Sequence, residues 1–168
     1  MIGISIPTYK PTNELIKIIE EIYVSKYFNF LISTNKIKIL IIDDGNYEVK
    51  HLTILKKIAK KKYIKIIKNK TNMGQGYAIK KSIKYASDNN FDSIICVDDD
   101  GQHHIEDIIK VIDYANKNKS YFVIGVREFT KDIPKRSYVG NKLTLLIIKI
   151  LLNYKIKDAT SGLRFYHR

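Results

Sequence analysis

The sequence predicts an α/β fold, with a mostly parallel central sheet flanked by helices. Short β-branched runs alternate with longer segments whose apolar residues recur at helical spacing, which is how βαβ units read in sequence. Two of the runs, 37–42 and 93–97, are almost wholly apolar, as strands covered on both faces are. Several runs stop abruptly at Pro, Asp or Asn, where a parallel sheet presents the carboxyl ends of its strands and places its ligands.

Residues 2–6 form the first expected strand, closed by Pro7. Leu15, Ile18, Ile19 and Ile22 then fall at i, i+3, i+4 and i+7, one face of a helix that Thr12 or Asn13 can cap. A second strand over 37–42 runs into Asp43-Asp44-Gly45. A helix over about 48–60 leads to a strand over 63–67, and Asn72-Met73-Gly74-Gln75-Gly76 turns into a helix reaching Ala86. The strand over 93–97 ends in Asp98-Asp99-Asp100, and Ile105, Ile108, Ile109 and Ile112 mark one face of the next helix. A strand over 121–126, a loop, an apolar helix over about 138–153 and a last extended stretch complete the chain. With no repeat, linker or low-complexity segment, residues 1–168 are expected to form one domain.

Bulk properties narrow the function. A chain of 168 residues, 45% hydrophobic and 28% charged, has globular composition. Lys and Arg number 30 against 17 Asp and Glu, a formal charge of +13 that suits an anionic partner. The lysines are scattered along helix faces, and no nucleic-acid recognition motif accompanies them. The reading is therefore no nucleic acid, with some weight for an acidic membrane surface. Cys96 is the single cysteine, so neither an internal disulfide nor a thiolate metal cluster can form. It lies in an apolar run, as a small buried hydrophobe. The N-terminus opens directly into a strand pattern without a signal peptide, and the longest apolar run, 143–152, is interrupted by Lys149 and too short to span a bilayer. A cytosolic chain, or one peripheral to a membrane, is expected.

The chemistry gathers at the strand ends. Asp98-x-Asp100 sets two carboxylates on one side of an extended segment, where ionised acids repel unless a cation lies between them. Mg²⁺ or Mn²⁺ takes oxygen ligands and shares them with substrate phosphates, and Gln102 adds an amide oxygen. A nucleotide diphosphate with its metal is the natural guest. The competing reading is a solvated turn or helix cap, which three acids followed by Gly-Gln-His at a strand end make the weaker of the two. No zinc-type spacing accompanies His103 and His104; they are read as shaping the loop, with His103 a candidate for lining the site. Asp43-Asp44-Gly45 is either a plain turn or a carboxylate for a base or ribose. Asn72-x-Gly74-x-Gly76 is a tight strand-to-helix turn that lets backbone approach a nucleotide, without the full dinucleotide or P-loop pattern. Arg127, Arg136 and Arg164 carry forked guanidinium groups suited to phosphate oxygens.

Taken in order, Ile6-Pro7-Thr8-Tyr9-Lys10-Pro11, Ile42-Asp43-Asp44-Gly45-Asn46, Asn72-x-Gly74-x-Gly76-x-Ala78, Asp98-Asp99-Asp100-Gly101-Gln102-His103, Gly125-Val126-Arg127, 134–141 and Asp158-Ala159-Thr160-Ser161-Gly162-Leu163-Arg164 resemble the GT-A fold family 2 glycosyltransferases. The nearest branch is that of the dolichol-phosphate mannosyltransferases and the bacterial polyprenyl-phosphate enzymes. The resemblance covers nearly the whole chain and implies a GT-A, Rossmann-like nucleotide-diphospho-sugar transferase fold.

It also implies roles. Pro7, Thr8, Tyr9, Asp43, Asp44, Asn72, Gly74 and Asp99 would line the nucleotide sugar, with Asp44 on the base. Asp98, Asp100 and Gln102 would hold Mg²⁺ or Mn²⁺ against the diphosphate of a UDP- or GDP-hexose. Arg127, Arg136 and Arg164 would receive the phosphate of a polyprenyl acceptor, so that Asp98, Asp100 and Arg127 form the catalytic set. The reaction would be inverting hexosyl transfer, on the cytoplasmic face of a membrane that the apolar helix from Tyr138 touches. A saccharide or cell-surface polymer acceptor, or a nucleotide-binding module without activity, are the alternatives. Gln75 stands where relatives often carry Lys or Arg, and His104-Ile105 replaces a Pro-Pro continuation. Relatives run on beyond the Ser-Gly-Leu-Arg segment, so the chain is expected to be truncated on its acceptor side.

Overall fold

The computed structural model describes residues 1–46, 48–126, 135–153 and 156–168, with the side chains of 135–139, 141, 143 and 152 left undescribed. Its strands are β1 (Ile2–Thr8), β2 (Ile37–Asp43), β3 (Ile64–Lys68), β4 (Ser93–Cys96), β5 (Phe122–Ile124) and β6 (Arg164–His167). Its helices are α1 (Asn13–Val24), α2 (Lys26–Ser33), α3 (Val49–Ala59), α4 (Gln75–Asp88), α5 (Ile105–Asn118) and α6 (Lys135–Leu152).

The strands form one sheet in the order β3-β2-β1-β4-β6-β5. β1 lies parallel to β2 and β4, and β2 parallel to β3. β6 runs antiparallel to both β4 and β5. The expected parallel sheet is thus present, and the last extended stretch is inserted into it as a reversed strand. Because the chain runs outward from β1 through β2 to β3 and then returns to the other side of β1 with β4, the crevice beyond the carboxyl ends of β1 and β4 is the topological switch point at which open α/β sheets bind ligands.

Side-chain alternation explains the two layers. Ile4, Ile6, Ile39, Ile41, Ile95 and Val97 face one side, where α1 contributes Leu15, Ile18, Ile19 and Ile22, α2 contributes Phe28, and α5 contributes Ile105, Ile108, Val111, Ile112 and Ala115. Leu40, Ile42 and Ile94 face the other, under Ala78 and Ala86 of α4. Nearly every central-strand residue is therefore buried, which is why those runs lack polar alternation. Thr12 caps α1, its hydroxyl accepting from the Glu14 amide at 3.2 Å.

The strand over 121–126 shortens to Phe122–Ile124 and the helix over 138–153 begins earlier, at Lys135; two further differences bear on the site. β1 continues past Pro7, since the Thr8 carbonyl still accepts from the Asp44 amide at 2.9 Å; the missing proline N–H removes one donor without ending the ladder. A separate helix, α2, occupies residues for which the apolar spacing gave no element, and Phe28 anchors it in the core.

Candidate active site

The acid motif follows β4 directly. Asp98 and Asp99 are half-buried and Asp100 is exposed. Thr8, at the end of β1, donates its hydroxyl to Asp99 Oδ2 and so ties the two strand ends together across the switch point. Burial pushes the Asp99 carboxyl above its usual range; the Thr8 hydroxyl works against that, and the neighbouring Asp100 and Asp98 charges add to it. Such a group gains from any cation brought beside it.

Asp98 has a neighbour at each of its oxygens, one of them hydrogen-bonded. Gln75 Nε2 donates to Oδ1 at 2.5 Å, and His103 Nε2 lies 3.8 Å from Oδ2. His103 is itself buried, so the loop histidine is fixed beside the acid. Asp100 Oδ1 accepts from the Gln102 amide at 3.0 Å, closing a tight turn with Gly101 at φ +78°. Among the described residues no group of His, Cys, Asp and Glu side chains is already closed around a cation position. The donor set fits a hard divalent ion all the same: two carboxylates and the Gln102 amide, all oxygen, within five residues at the switch point.

The β2 end is organised differently. Asp43 is buried and accepts from the Asn46 amide at 2.9 Å and the Asn46 side chain at 2.7 Å, with Lys68 Nζ 3.9 Å from its other oxygen. Asn46 in turn accepts from the Lys10 amide at 2.5 Å, which shapes the backbone after Tyr9. Asp44 is also buried; its Oδ1 accepts from Asn69 Nδ2 at 2.7 Å and the Met73 amide at 3.0 Å, and its Oδ2 from the Gly74 amide at 2.8 Å. Asn72 Oδ1 accepts from the same Gly74 amide at 3.0 Å. Asp44 is therefore the rivet of the strap that carries Gly74 into α4. Lys81 completes the set by donating to Asn69 Oδ1 at 2.6 Å. Among the described residues no buried side-chain nitrogen or oxygen lacks a partner.

Pro7, Thr8, Asp43, Asp44, Asn72, Gly74, Asp98, Asp99, Asp100 and Gln102 accordingly sit on the ends of β1, β2 and β4 and on the strap between β3 and α4. Tyr9, 48% exposed, stands beside them with its ring open to solvent. Arg164 lies on β6 with Nε donating to the Ser161 carbonyl at 2.8 Å and a terminal nitrogen to the Ala159 carbonyl at 3.2 Å. Arg127 falls outside the described residues, and Arg136 is on α6 with its side chain undescribed.

Sequence reading gave no role to Asn46, Asn69 or Gly162 and treated Gln75 only as a departure. These residues reach the site from positions far apart in the chain. Only strand order brings them together, and an isolated Asn or Gln carries no spacing signal.

The profile "Glycosyl transferase family 2" matches residues 4–168. A UDP-N-acetylglucosamine–dolichyl-phosphate N-acetylglucosaminyltransferase of Methanococcus voltae is 35% identical over 107 residues, 61% of this chain and 42% of that protein. An uncharacterised protein of Methanocaldococcus jannaschii is 28% identical over 168 residues, 95% of this chain and 68% of that protein. A second from the same organism is 30% identical over 132 residues, 76% and 52%. Among solved structures, the Pyrobaculum calidifontis mannosyltransferase PcManGT, in complex with GDP-Man and Mn²⁺, superposes with a TM-score of 0.64 at 11% identity, over 99% of this chain and 44% of that one. Glucosyl-3-phosphoglycerate synthase from Mycobacterium tuberculosis, bound to UDP, gives 0.57 at 12% identity, over 99% and 56%. These two likenesses establish the GT-A fold. The chain spans about half the length of most of these proteins.

Proposed function

Because the chain belongs to glycosyl transferase family 2, the match running over residues 4–168, we propose that it is the donor-binding part of a metal-dependent inverting glycosyltransferase. It moves a hexose from a nucleotide sugar to a polyprenyl phosphate. The observation that carries this reading is Asp98: a carboxylate at the end of β4, hydrogen-bonded by Gln75 and flanked by His103, beside the Thr8–Asp99 bridge at the switch point.

Asp98, Asp100 and Gln102 would hold Mg²⁺ or Mn²⁺, which supplies neutralisation of the diphosphate charge as the leaving group departs. The chain's own groups do the rest. Pro7, Thr8 and the open ring of Tyr9 border the nucleotide. The strap riveted by Asp44 lets the Gly74 backbone come close, and Asp43 and Asn46 set the path of the chain after β1. A phosphate acceptor is ionised at neutral pH, so its oxygen attacks the anomeric carbon without a strong general base. That suits a site whose one buried histidine, His103, faces a carboxylate. Arg127, Arg136 and Arg164 would receive the acceptor phosphate. The acceptor class is supported by the dolichyl-phosphate relative.

Helix α6 supports contact with a lipid surface. Leu146, Ile147, Ile150 and Leu151 are 46–74% exposed and share one stripe of the helix, while no described helix is long and apolar enough to cross a membrane. An exposed apolar stripe of this kind suits the headgroup boundary, on the cytoplasmic face where nucleotide sugars are made available. A saccharide acceptor is the second reading. It draws on Arg164, two of whose donors are already occupied by the carbonyls of its own loop.

A donor screen tests the proposal: UDP- and GDP-sugars with Mn²⁺ and a short polyprenyl phosphate, with Asp100→Ala as control. Nucleoside diphosphate with Mn²⁺ should raise the melting temperature of the parent chain and leave Asp100→Ala unmoved. Undiminished binding and transfer by Asp100→Ala would sink the mechanism.

A further inference from the structure

We propose that Gln75 is a positioning residue for the carboxylate of Asp98, and that the strap 72–75 makes this positioning depend on Asp44. The inference rests on the reading of Asp98 as a metal ligand.

Gln75 opens α4, directly after Gly74 at φ +85°. Its amide nitrogen reaches Asp98 Oδ1 at 2.5 Å, across 23 residues of sequence. On the far side His103 Nε2 stands 3.8 Å from Oδ2, and behind the carboxyl the backbone of Gly162 leaves no room for retreat. Asp98 is thus confined to one orientation from three directions. Hydrogen bonds to a ligating carboxylate fix its angle and spare the metal the cost of ordering it.

The chemistry of the donor matters. A lysine or arginine at this position would pair with Asp98 as an ion and compete with a cation for the same charge. A neutral amide aims the carboxylate and leaves its full charge in place. In a motif of three adjacent acids, charge retained on Asp98 counts directly in cation affinity.

The backbone of Gln75 is located by the residues before it. Asp44 takes the amides of Met73 and Gly74 on its two oxygens, so the end of β2 fixes where α4 begins and hence where the Gln75 side chain starts. Between the β2 end and the β4 end runs a continuous path: Asp44, Gly74, Gln75, Asp98. Loss of the Gln75 amide removes this link while leaving the Thr8–Asp99 bridge intact.

The experiment titrates Mn²⁺ into the full chain with UDP or GDP present, reading free Mn²⁺ by electron paramagnetic resonance, with no sugar turnover involved. Gln75→Leu and Gln75→Ala should each weaken Mn²⁺ by about 10- to 100-fold, the usual cost of losing a partner of a metal ligand. The metal-free melting temperature should move by no more than about 2 °C, because Gln75 is exposed. In an Asp98→Ala background, which removes the group that Gln75 addresses and leaves Asp100, Gln102 and the nucleotide's diphosphate to hold the cation, adding Gln75→Leu should cost nothing further. Wild-type Mn²⁺ affinity in both Gln75 variants, or an undiminished Gln75→Leu effect in the Asp98→Ala background, overturns the positioning role alone. Wild-type affinity in Asp98→Ala and Asp100→Ala overturns the metal assignment, and the positioning role with it.

Discussion

Gly162 packs its backbone against the carboxyl group of Asp98 so closely that a Cβ built at Gly162 would fall inside it. The register explains the contact. Cys96 pairs with Arg164 in the antiparallel β4–β6 ladder, so two residues further along β4 and two residues earlier on the returning chain bring 98 opposite 162. The segment 158–163 therefore forms the back wall of the acid motif. Asp158, fully buried and accepting from the Thr160 amide at 2.9 Å, holds that wall in shape.

Gly162→Ala is expected to lower stability by about 1–3 kcal/mol, the usual cost of forcing a methyl into filled space. It should also shrink the stabilisation that nucleoside diphosphate and Mn²⁺ confer, because the group in the way is Asp98 itself. Urea denaturation with and without ligand separates the two effects. An alanine variant that matches the parent in both would mean the wall is not seated as described.

Asp44→Asn tests the strap. The buried carboxylate accepts from three donors, and an amide in its place must turn an N–H toward at least one of them. Hydrogen bonds to a charged group contribute about 1.5–3 kcal/mol each, so a loss of about 2 kcal/mol or more is expected. Amide exchange at Met73 and Gly74 should accelerate while that of the inner β2 residues stays slow. Unchanged exchange at those two amides would contradict the rivet.

Two glycines with nearly the same φ make an internal comparison. Gly45, at φ +83°, would push a Cβ to 2.5 Å from the Thr71 carbonyl carbon and 2.6 Å from the Asn72 nitrogen, whereas Gly74, at φ +85°, has nothing within 4 Å. Gly74→Ala should cost only backbone strain, about 1–3 kcal/mol. Gly45→Ala should cost distinctly more, since it also drives the strap off β2. Thermal unfolding of the two variants side by side gives the order, and the reverse order would refute the packing.

The strands, the α1 and α5 faces and the acid motif were legible because each is written locally, in runs of buried residues or at a fixed helical period. Leu15, Ile18, Ile19 and Ile22 were read from spacing and are all buried. Other features were not local. The place of β6 between β4 and β5 depends on pairing between segments some 70 residues apart, and nothing in Arg164-Phe165-Tyr166-His167 announces a reversed strand. Asp44 was expected on a nucleotide base. The three amide donors that occupy it come from residues 69–74, a partnership visible only once β2 and β3 lie side by side. Gln75 stood out in the sequence only as a departure from its relatives, since its hydrogen bond to Asp98 crosses from one βα turn to another.

Cys96 supplies a pH prediction. Burial pushes its thiol from 9.0 up to about 12, with the Ser5 hydrogen bond and the Arg164 charge opposing. A raised value in the fold means that the neutral thiol is the stabilised form. Its contribution is complete below the unfolded value near 9 and is lost as pH climbs toward 12. Native protein at pH 8 should resist iodoacetamide and react promptly once unfolded in urea. Mass spectrometry reads the labelling, and rapid alkylation of the folded chain would mean that Cys96 is reached by solvent.

The last prediction concerns α6. Ile150 and Leu151 are 70% and 74% exposed, so replacing both by Ser should leave the melting temperature within about 2 °C. If the stripe of Leu146, Ile147, Ile150 and Leu151 enters the headgroup boundary, however, each of the two residues gives up roughly 1.5 kcal/mol or more of apolar burial, and every 1.4 kcal/mol is about tenfold in partitioning. Co-sedimentation with vesicles containing anionic lipid should then fall at least about tenfold for Ile150→Ser/Leu151→Ser. Salt separates this from simple attraction between a chain of charge +13 and an acidic surface: charge attraction fades as ionic strength rises, while the apolar part persists. Vesicle binding that is abolished by salt and indifferent to the double substitution would remove α6 from the membrane contact and leave only the scattered lysines to account for it.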